Sequence, residues 1–210
     1  MSINPVILFL TLVLVAVFFY MQWRKKQQAA APPPPKVDKD AALRAEVDRL
    51  AAGNEESPET AYMNLRAHAL ETSPGRFGAL AADEPYGALM EMVISSSVVS
   101  LVCFADGDAS IYYKTGGGMR GGLGHEAIRK VAKEFVALAK QALPKMIKSN
   151  SQPLPGDDRV RFYVLTSQGI YTTETDRETL GSAGNELSVL YYAGQEVVTQ
   201  MRQVQEQRGR

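Results

Sequence analysis

The chain has 210 residues, of which 45% are hydrophobic, with 23 basic and 23 acidic side chains, one Cys and two His. A net charge of zero argues against a nucleic-acid binder that relies on a strong positive field, and this length allows one or at most two compact domains. A single Cys excludes an internal disulfide and a Cys-rich zinc site. No other spaced set of ligands accompanies the two His residues, and the sequence predicts no metal and no cofactor.

The neutral total hides an uneven distribution of charge. Residues 1–37 hold four basic and no acidic side chains, so the rest of the chain is acidic on balance. An apolar run occupies residues 6–20 (VILFLTLVLVAVFFY), and the triplet Arg24-Lys25-Lys26 follows it. A helix from 3 to 23 would be about 31 Å long at about 1.5 Å per residue, enough to cross the hydrocarbon core of a bilayer. The sequence therefore predicts a transmembrane anchor with a basic flank at residues 1–26, with the lipid bilayer as its partner.

The basic triplet also predicts the orientation of this anchor. Positive residues concentrate on the cytoplasmic side of membrane spans. We therefore expect a single-pass protein of the inner (plasma) membrane, with its N-terminus outside and its C-terminal domain in the cytoplasm. A cleaved secretory signal is the alternative, but such signals carry their positive charge before the apolar segment rather than after it.

Two further segments separate the anchor from the main domain. Residues 27–37 include the tract AAAPPPPK, whose prolines cannot continue a helix and predict a stiff, extended linker. In residues 38–56, Leu43, Val47 and Leu50 recur at helical spacing among charged residues, which predicts an amphipathic connector helix. Residues 57–210 are then the cytoplasmic domain.

Within this domain the sequence alternates between helical and β-type patterns. Ser57 and Pro58 are suited to begin a helix as its cap and its first-turn residue. Short apolar runs with tight-turn signals predict two groups of strands, at 86–94, 98–105 and 109–114 and at 159–166 and 170–175. The first run, which contains Leu89, Met90 and Met92, fits a helical turn equally well. Apolar residues at the 3.6-residue period predict two long helices, at 128–142 and 187–204. The order α-β-β-β-α-β-β-α predicts an α+β domain with a mainly antiparallel five-stranded sheet packed with helices.

The last of these helices has a second possible use. Its apolar positions are separated by alternating steps of four and three residues, the spacing of a coiled-coil seam. The residues concerned are Leu190, Gly194, Val197, Met201 and Val204. They predict either a homodimer through this helix or a stripe that faces the core of the domain.

Six of the 17 glycines lie between positions 116 and 124, where a predicted strand leads into a predicted helix. Glycine permits close approach to the backbone, and a helix N-terminus offers unpaired amides and partial positive charge, so this segment is a candidate site for a small anion or a nucleotide. The candidate ligand-binding residues are Gly116, Gly117, Gly118, Arg120, Gly121, Gly122, Gly124 and His125. The simpler structural explanation is a flap or a bulged strand that crosses close to another backbone.

The stretch ADGDASIYYKTGGGMRGGLGHEAI at 105–128, with GALME at 87–91 and RVRFYVLTSQGIYTTE at 159–174, resembles a family of small uncharacterised bacterial proteins. In that family a strand leads into a triple glycine, further glycines and a His that opens a helix. The resemblance covers residues 60–205 and implies a bacterial origin and the same domain boundary, but the family has no established activity. The order of elements is also loosely similar to small scaffolding folds of the roadblock or profilin type.

Catalytic residues are harder to find. Nucleophilic catalysis needs an activated residue, a base and a group that orients the base. The serines near position 97 and the two His residues show no such motif, and the acidic pairs near 107 and 157 lie in turn-forming contexts. The sequence names no catalytic residue and favours a non-enzymatic role without deciding it.

Charge on the central helix suggests where a partner would bind. Arg129, Lys133 and Lys140 project within about 40° of one another at about 100° per residue, away from the apolar face. This pattern fits contact with an acidic protein, contact with an anionic lipid surface, or a simple solvated face.

The leading hypothesis is a membrane-anchored protein whose cytoplasmic domain is a protein-interaction or scaffold module. The alternatives are a small-anion or nucleotide-binding enzyme at 116–124 and a membrane-surface sensor.

Overall fold

The computed structural model describes residues 57–181 and 185–208. Within them the helices are α1 (Pro58–Leu70), α2 (Glu126–Ala142), α3 (Arg177–Leu180) and α4 (Ser188–Arg208), and short 3-10 helices cover Pro74–Phe77 and Leu143–Lys145. The strands are β1 (Pro85–Ile94), β2 (Ser97–Phe104), β3 (Ala109–Tyr113), β4 (Gly118–Arg120), β5 (Ile147–Lys148), β6 (Arg159–Thr166) and β7 (Gly169–Asp176). These strands form one antiparallel sheet in the order β4-β3-β2-β1-β6-β7-β5.

Tight turns set the register of the central strands. Ser95 and Ser96 have φ angles of 50° and 64°, and Ile94 and Ser97 face each other across them. Positive φ at both central residues is the geometry of a two-residue hairpin whose twist matches that of the strands. In the β6–β7 hairpin, Gly169 takes the positive φ of 130°.

Helices cover both faces of the sheet. On one face α2 and α4 pack against alternate strand residues such as Met90, Ile111 and Phe162, which form the larger core. On the other face the end of α1 packs beside Leu89 and Tyr163 in a smaller core. Successive residues of a strand point to opposite faces. The central strands are apolar almost throughout because each supplies both cores.

Local signals explain the limits of the two helices that flank the first strands. Ser57 caps α1, since its Oγ accepts a hydrogen bond from the Thr60 amide at 3.2 Å, and Pro58 stands in the first turn, as predicted. The buried side of α2 repeats at the helical period: Ile128, Ala132, Phe135, Val136, Ala139 and Ala142. Pro144 lies directly beyond α2 in the following 3-10 helix, where it cannot extend the α-helix.

The predicted class, α+β with an antiparallel sheet, is confirmed, but the predicted number of five strands is wrong. The sheet has seven strands. The two additional strands are β4, with three residues, and β5, with two. Neither is long enough to show the alternation that reveals a strand in a sequence, and β4 begins with a glycine. Both lie at edges of the sheet, so the five predicted strands form its centre.

The predicted fold also included a transmembrane helix, and the described structure holds none. Within residues 57–181 and 185–208, every helix is too short or too polar to cross a bilayer. The segments predicted as anchor (1–26), linker (27–37) and connector helix (38–56) lie outside the described residues.

Candidate functional site

The glycine-rich segment forms the turn and the outer strand of a hairpin. Gly116 and Gly117 have φ angles of 101° and 80° and lie in the turn between β3 and β4. The Gly116 amide donates to the Tyr113 carbonyl at 2.9 Å, and the Tyr113 amide donates to the Gly117 carbonyl at 3.3 Å. L-residues with side chains rarely adopt such angles, so the turn itself accounts for these two glycines.

Two further glycines let one stretch of backbone lie against another. A Cβ at Gly118 would stand 2.3 Å from the Ile111 carbonyl oxygen, and one at Gly122 would stand 2.2 Å from the Gly107 carbonyl oxygen. Both distances are far inside van der Waals contact, so no larger residue fits without moving the backbone. Gly124 differs, because a Cβ there would have nothing within 4 Å.

The candidate ligand-binding residues are spread along this hairpin rather than gathered around one point. Gly116 lies against Pro58 beyond the end of β3, whereas Gly122 lies against Gly107 and the beginning of β3. The two ends of β3 are about 14 Å apart at about 3.4 Å per residue. Arg120 lies between them, exposed on β4. A small ligand therefore reaches only part of the predicted set.

The predicted His lies at the N-terminus of α2. His125 occupies the N-cap position with a φ of −135°, and its side chain does not cap the helix. Glu126 follows in the first turn, where a carboxylate already complements the partial positive charge of the helix end. A second anion bound there would be repelled by Glu126. The anion site at these residues stays a prediction.

The three basic residues predicted on the central helix share one side of α2 but differ in their partners. Lys140 Nζ lies 2.6 Å from Glu84 Oε2 and 3.5 Å from Asp83 Oδ2. The hydrogen bond to Glu84 raises the pKa of Lys140. Arg129 and Lys133 are exposed and form no ion pair with another described residue. These two cations remain available to a partner.

A buried ion pair, for which the sequence carries no signal, joins α1 to the sheet. Arg66 Nε lies 2.7 Å from Glu91 Oε1 and Arg66 Nη2 lies 2.8 Å from Glu91 Oε2, and the two side chains are 4% and 0% exposed. Burial is the largest single effect on Arg66 and lowers its pKa, but the hydrogen bond to Glu91 and the negative charge of Glu91, with smaller contributions from Tyr163 and Tyr62, together raise the pKa above its ordinary value. Arg66 also donates to the carbonyls of Gln152 and Pro153, at 2.9 and 3.2 Å. Arg66 therefore links its own helix, α1, and the loop before β6 to strand β1, which carries Glu91.

Hydroxyl groups complete this buried polar cluster, which comprises Tyr62, Arg66, Glu91, Ser100 and Tyr163. Ser100 Oγ donates to Glu91 Oε1 at 2.7 Å and lies 2.7 Å from Tyr62 Oη. Burial, with a smaller contribution from Glu91, raises the pKa of Tyr62 to about 12. Tyr163 Oη donates to the Pro153 carbonyl at 2.5 Å. Since the buried charges are paired and hydrogen-bonded, we interpret the cluster as a structural contact that holds α1 on the sheet rather than as a reactive site.

The acidic pair near the β2–β3 turn is also structural. Arg76 Nη2 lies 2.6 Å from Asp106 Oδ2 and 3.4 Å from Asp108 Oδ2, and Asp106 Oδ1 accepts a hydrogen bond from the Asp108 amide at 3.0 Å. The Arg76 guanidinium also lies 5.2 Å from the Phe77 ring centre and 5.3 Å from that of Phe104. Burial raises the pKa of Asp108, and Arg76 partly offsets this. The carboxylates hold the turn and the 3-10 helix together.

Cys103 lies in the larger core, where none of its surface is exposed. Burial raises the pKa of its thiol well above the ordinary value, so the reactive thiolate is disfavoured. Among residues 57–181 and 185–208, no group of three or more His, Cys, Asp or Glu is arranged to hold a metal ion.

A cavity of about 330 Å³ lies between the sheet and α4. Its strand walls come from β1, β2 and β3, and Val198 lines it from the helix. Polar groups, among them Ser97, Gln195 and Arg202, also line it. Sequence reasoning missed this cavity because its walls depend on the register of three strands. The period-2 pattern of those strands is its only signal in the sequence.

The apolar stripe of α4 faces the core of its own domain. Leu190, Val197 and Met201 are at most 3% exposed, and a Cβ at Gly194 would stand 2.6 Å from Met90 Cε. The spacing that matched a coiled-coil seam therefore serves packing against the sheet and α2. A homodimer through this helix would need other residues of α4, and it stays a prediction.

Comparison with known proteins adds no relative. No protein-family model matches the chain, and no curated protein or solved structure shows significant similarity to it. The resemblance to small bacterial proteins and the likeness to roadblock or profilin folds therefore stay predictions. Function has to be argued from the residues themselves.

Proposed function

We propose that the α+β domain is a protein-interaction module that binds an acidic surface of a partner protein. The contact is made by the basic flank of α2, defined as the exposed surface of Arg129 and Lys133 with Lys140 at its end. The observation that supports this proposal is that Arg129 and Lys133 are exposed cations with no ion pair to another described residue.

Several other cations of the domain already have acidic partners within it. Seven of the described Lys and Arg residues form ion pairs within the domain: Arg66, Arg76, Lys114, Lys140, Lys145, Arg159 and Arg161. Arg129 and Lys133 are four residues apart on one helix, so their like charges stand side by side and destabilise it by a few tenths of a kcal/mol. An acidic partner surface removes this repulsion.

The basic flank is partly held in place before a partner binds. The Arg129 stem packs over the β2–β3 turn, because a Cβ added at Gly107 would stand 2.1 Å from Arg129 Cγ. A side chain held at its stem loses less conformational freedom when its charged end binds. The acidic groups beside Lys140, on Asp83 and Glu84, favour a protein surface with its own pattern of charge over a uniformly anionic bilayer.

The proposal is tested by affinity purification of the full chain from cells that produce it, followed by quantitative mass spectrometry. The test variant is Arg129→Glu with Lys133→Glu. Lys133→Glu alone is compared with Lys148→Glu, which makes the same charge reversal at an exposed position on strand β5, outside α2. We expect a specific partner that wild type and Lys148→Glu retain, and that the double variant loses by at least about tenfold, since rim charges of an interface govern association.

Two outcomes contradict the proposal. Equal recovery of the partner by wild type and the double variant would show that the basic flank is not the contact. Charge-dependent binding of the domain to anionic vesicles, with no partner protein recovered, would favour a lipid surface instead. The inner-membrane location predicted from residues 1–26 is separate from this test and stays a prediction.

A further inference from the structure

The cavity between the sheet and α4 grades from apolar to polar along its length. At its inner end Met90, Leu101 and Ile111 face one another across three strands, and each is 1% exposed. At its outer end Ile94 is 41% exposed and Ser97 lies opposite it beside the β1–β2 turn. The inner end is lined by apolar side chains, and the outer end opens to solvent.

Helix α4 forms the roof of this cavity with residues on one face. Gln195, Val198 and Arg202 follow one another at intervals of three and four residues and all line the space. Gly194 lets the helix approach Met90 closely, since a Cβ there would stand 2.6 Å from Met90 Cε. The helix thus closes the inner end at Met90 and carries a cation, Arg202, in the wall further along.

Three polar groups of the lining lack strong partners. Arg202 is exposed and forms no ion pair with another described residue, and no described Asp or Glu lines the cavity. Ser97 Oγ is buried without a hydrogen-bond partner among the described residues. Among the residues that the structure describes, the Gln195 side-chain amide donates only to Met92 Sδ, at 3.8 Å, and a thioether is a weak acceptor. A buried hydroxyl without a partner is costly to a fold, and a bound acceptor would satisfy it.

We propose that this cavity binds a small aliphatic carboxylate, such as a medium-chain fatty acid. The alkyl chain lies among the methionines and aliphatic residues of the strands, and the carboxylate accepts hydrogen bonds from Arg202 and Ser97. The volume of about 330 Å³ lies at the lower end of the range of about 300–1,000 Å³ for small-molecule sites. Met90 and Met92 suit a flexible chain because the unbranched, polarisable methionine side chain adapts to its contacts.

Binding is measured by isothermal titration calorimetry on the purified full chain. Octanoate is the test ligand, and acetate supplies the head group without the chain. Octylamine and octanol supply the same chain with a cationic or a neutral head. We expect octanoate to bind, acetate to show no binding, and octylamine to bind at least about tenfold more weakly than octanoate, because Arg202 attracts one head group and repels the other.

Two variants test the contributions of the ligand's alkyl chain and of its head group separately. Arg202→Gln should weaken octanoate about fivefold to tenfold, the value of an exposed charge pair with hydrogen bonds, and leave octanol unchanged. Lys148→Gln, which removes an exposed positive charge on β5 that does not line the cavity, is its control. Val198→Phe fills the cavity from α4 and should abolish binding of both ligands. Val189→Phe makes the same change on the same helix at a side chain that is 58% exposed and should bind normally.

The outcomes decide between clear alternatives. Binding of octanoate that Val198→Phe removes and Arg202→Gln weakens supports the proposal. Equal binding of octanoate and octylamine, or no effect of Arg202→Gln, would overturn the assignment of an anionic ligand. The absence of octanoate binding would overturn the site itself. If Val198→Phe fails to fold, as judged by circular dichroism, the Arg202→Gln comparison decides the matter alone.

Discussion

Arg66 and Glu91 meet inside the interface between α1 and β1 through two hydrogen bonds, of 2.7 and 2.8 Å. Taking two charges out of water is costly, and their attraction repays this cost only with good geometry and further hydrogen bonds. Here Ser100 supplies one such bond to Glu91, and the carbonyls of Gln152 and Pro153 accept two from Arg66. The docking of α1 therefore depends on both members of the pair.

Removal of Arg66 alone should be strongly destabilising. Arg66→Met leaves the Glu91 carboxylate buried without its cation, so we expect the free energy of unfolding to fall by about 3–5 kcal/mol. Urea denaturation followed by circular dichroism measures this loss. The double variant Arg66→Met with Glu91→Leu removes both charges and should recover at least half of it. A double variant as unstable as the single one would show that the packing of Arg66, and not its charge, holds α1.

The raised pKa of Tyr62 predicts a loss of stability at high pH. Its pKa is about 12 in the folded chain against an ordinary value of 10.0, so the folded state holds the phenol proton more tightly than the unfolded state. The contribution of the Tyr62 proton to the free energy of unfolding is fully present below about pH 10. It falls as the pH rises towards 12, by at most about 2 kcal/mol. Tyr62→Phe should lose less stability than wild type between pH 9 and pH 12.

A matched control separates this effect from the titration of other groups. Tyr192→Phe removes a phenol that is 56% exposed and should follow the wild-type curve. The curves are obtained from urea midpoints at each pH. Parallel curves for wild type and Tyr62→Phe would contradict the assignment of the buried phenol.

The glycine-rich segment predicts opposite results for two similar substitutions. Gly122→Ala drives a methyl group to within 2.2 Å of the Gly107 carbonyl oxygen and should lower the free energy of unfolding by at least about 2 kcal/mol. Gly124→Ala meets nothing within 4 Å and should leave it unchanged or raise it by up to about 1 kcal/mol. Thermal unfolding of the two variants measures the difference. Similar losses in both would show that the segment needs flexibility rather than close backbone packing.

Burial of Cys103 predicts a thiol that reacts only when the domain opens. Its surface is fully covered and its pKa is raised by burial. We expect a thiol reagent to label the native chain at least about a thousandfold more slowly than the chain in urea, in line with the small unfolded fraction of a stable domain. Labelling at equal rates would contradict this placement.

The centre of the fold could be predicted from the sequence because its signals are local. Apolar runs of strand length and tight turns locate β1, β2, β3, β6 and β7, and the Ser57 cap with the apolar period locates α1 and α2. β4 and β5 are too short to carry such a pattern. They form only because the neighbouring strands offer unpaired backbone groups, and that is a property of the folded sheet.

The candidate sites depend more on contacts between distant residues. The basic flank of α2 follows from helical spacing, but the pairing of Lys140 with Glu84 joins residues 56 positions apart. Arg66 and Glu91 lie on a helix and a strand whose relative placement no spacing rule supplies. The cavity needs the register of three strands and the position of α4. Contacts between residues on different helices and strands therefore could not be predicted from sequence patterns, whereas the grouping of charged residues on one helix could.

The small size of the two outermost strands determines how this sheet meets other chains. A foreign strand that adds to an exposed sheet edge gains affinity from a continuous ladder of main-chain hydrogen bonds. β4 has only three residues and β5 only two, so neither supports such a ladder, and short edge strands protect a sheet from edge-to-edge aggregation. The binding of a partner by strand addition at β4 or β5 is therefore unfavourable. In the interaction proposed above, selectivity then rests with side chains on the helices, where single substitutions are able to change it.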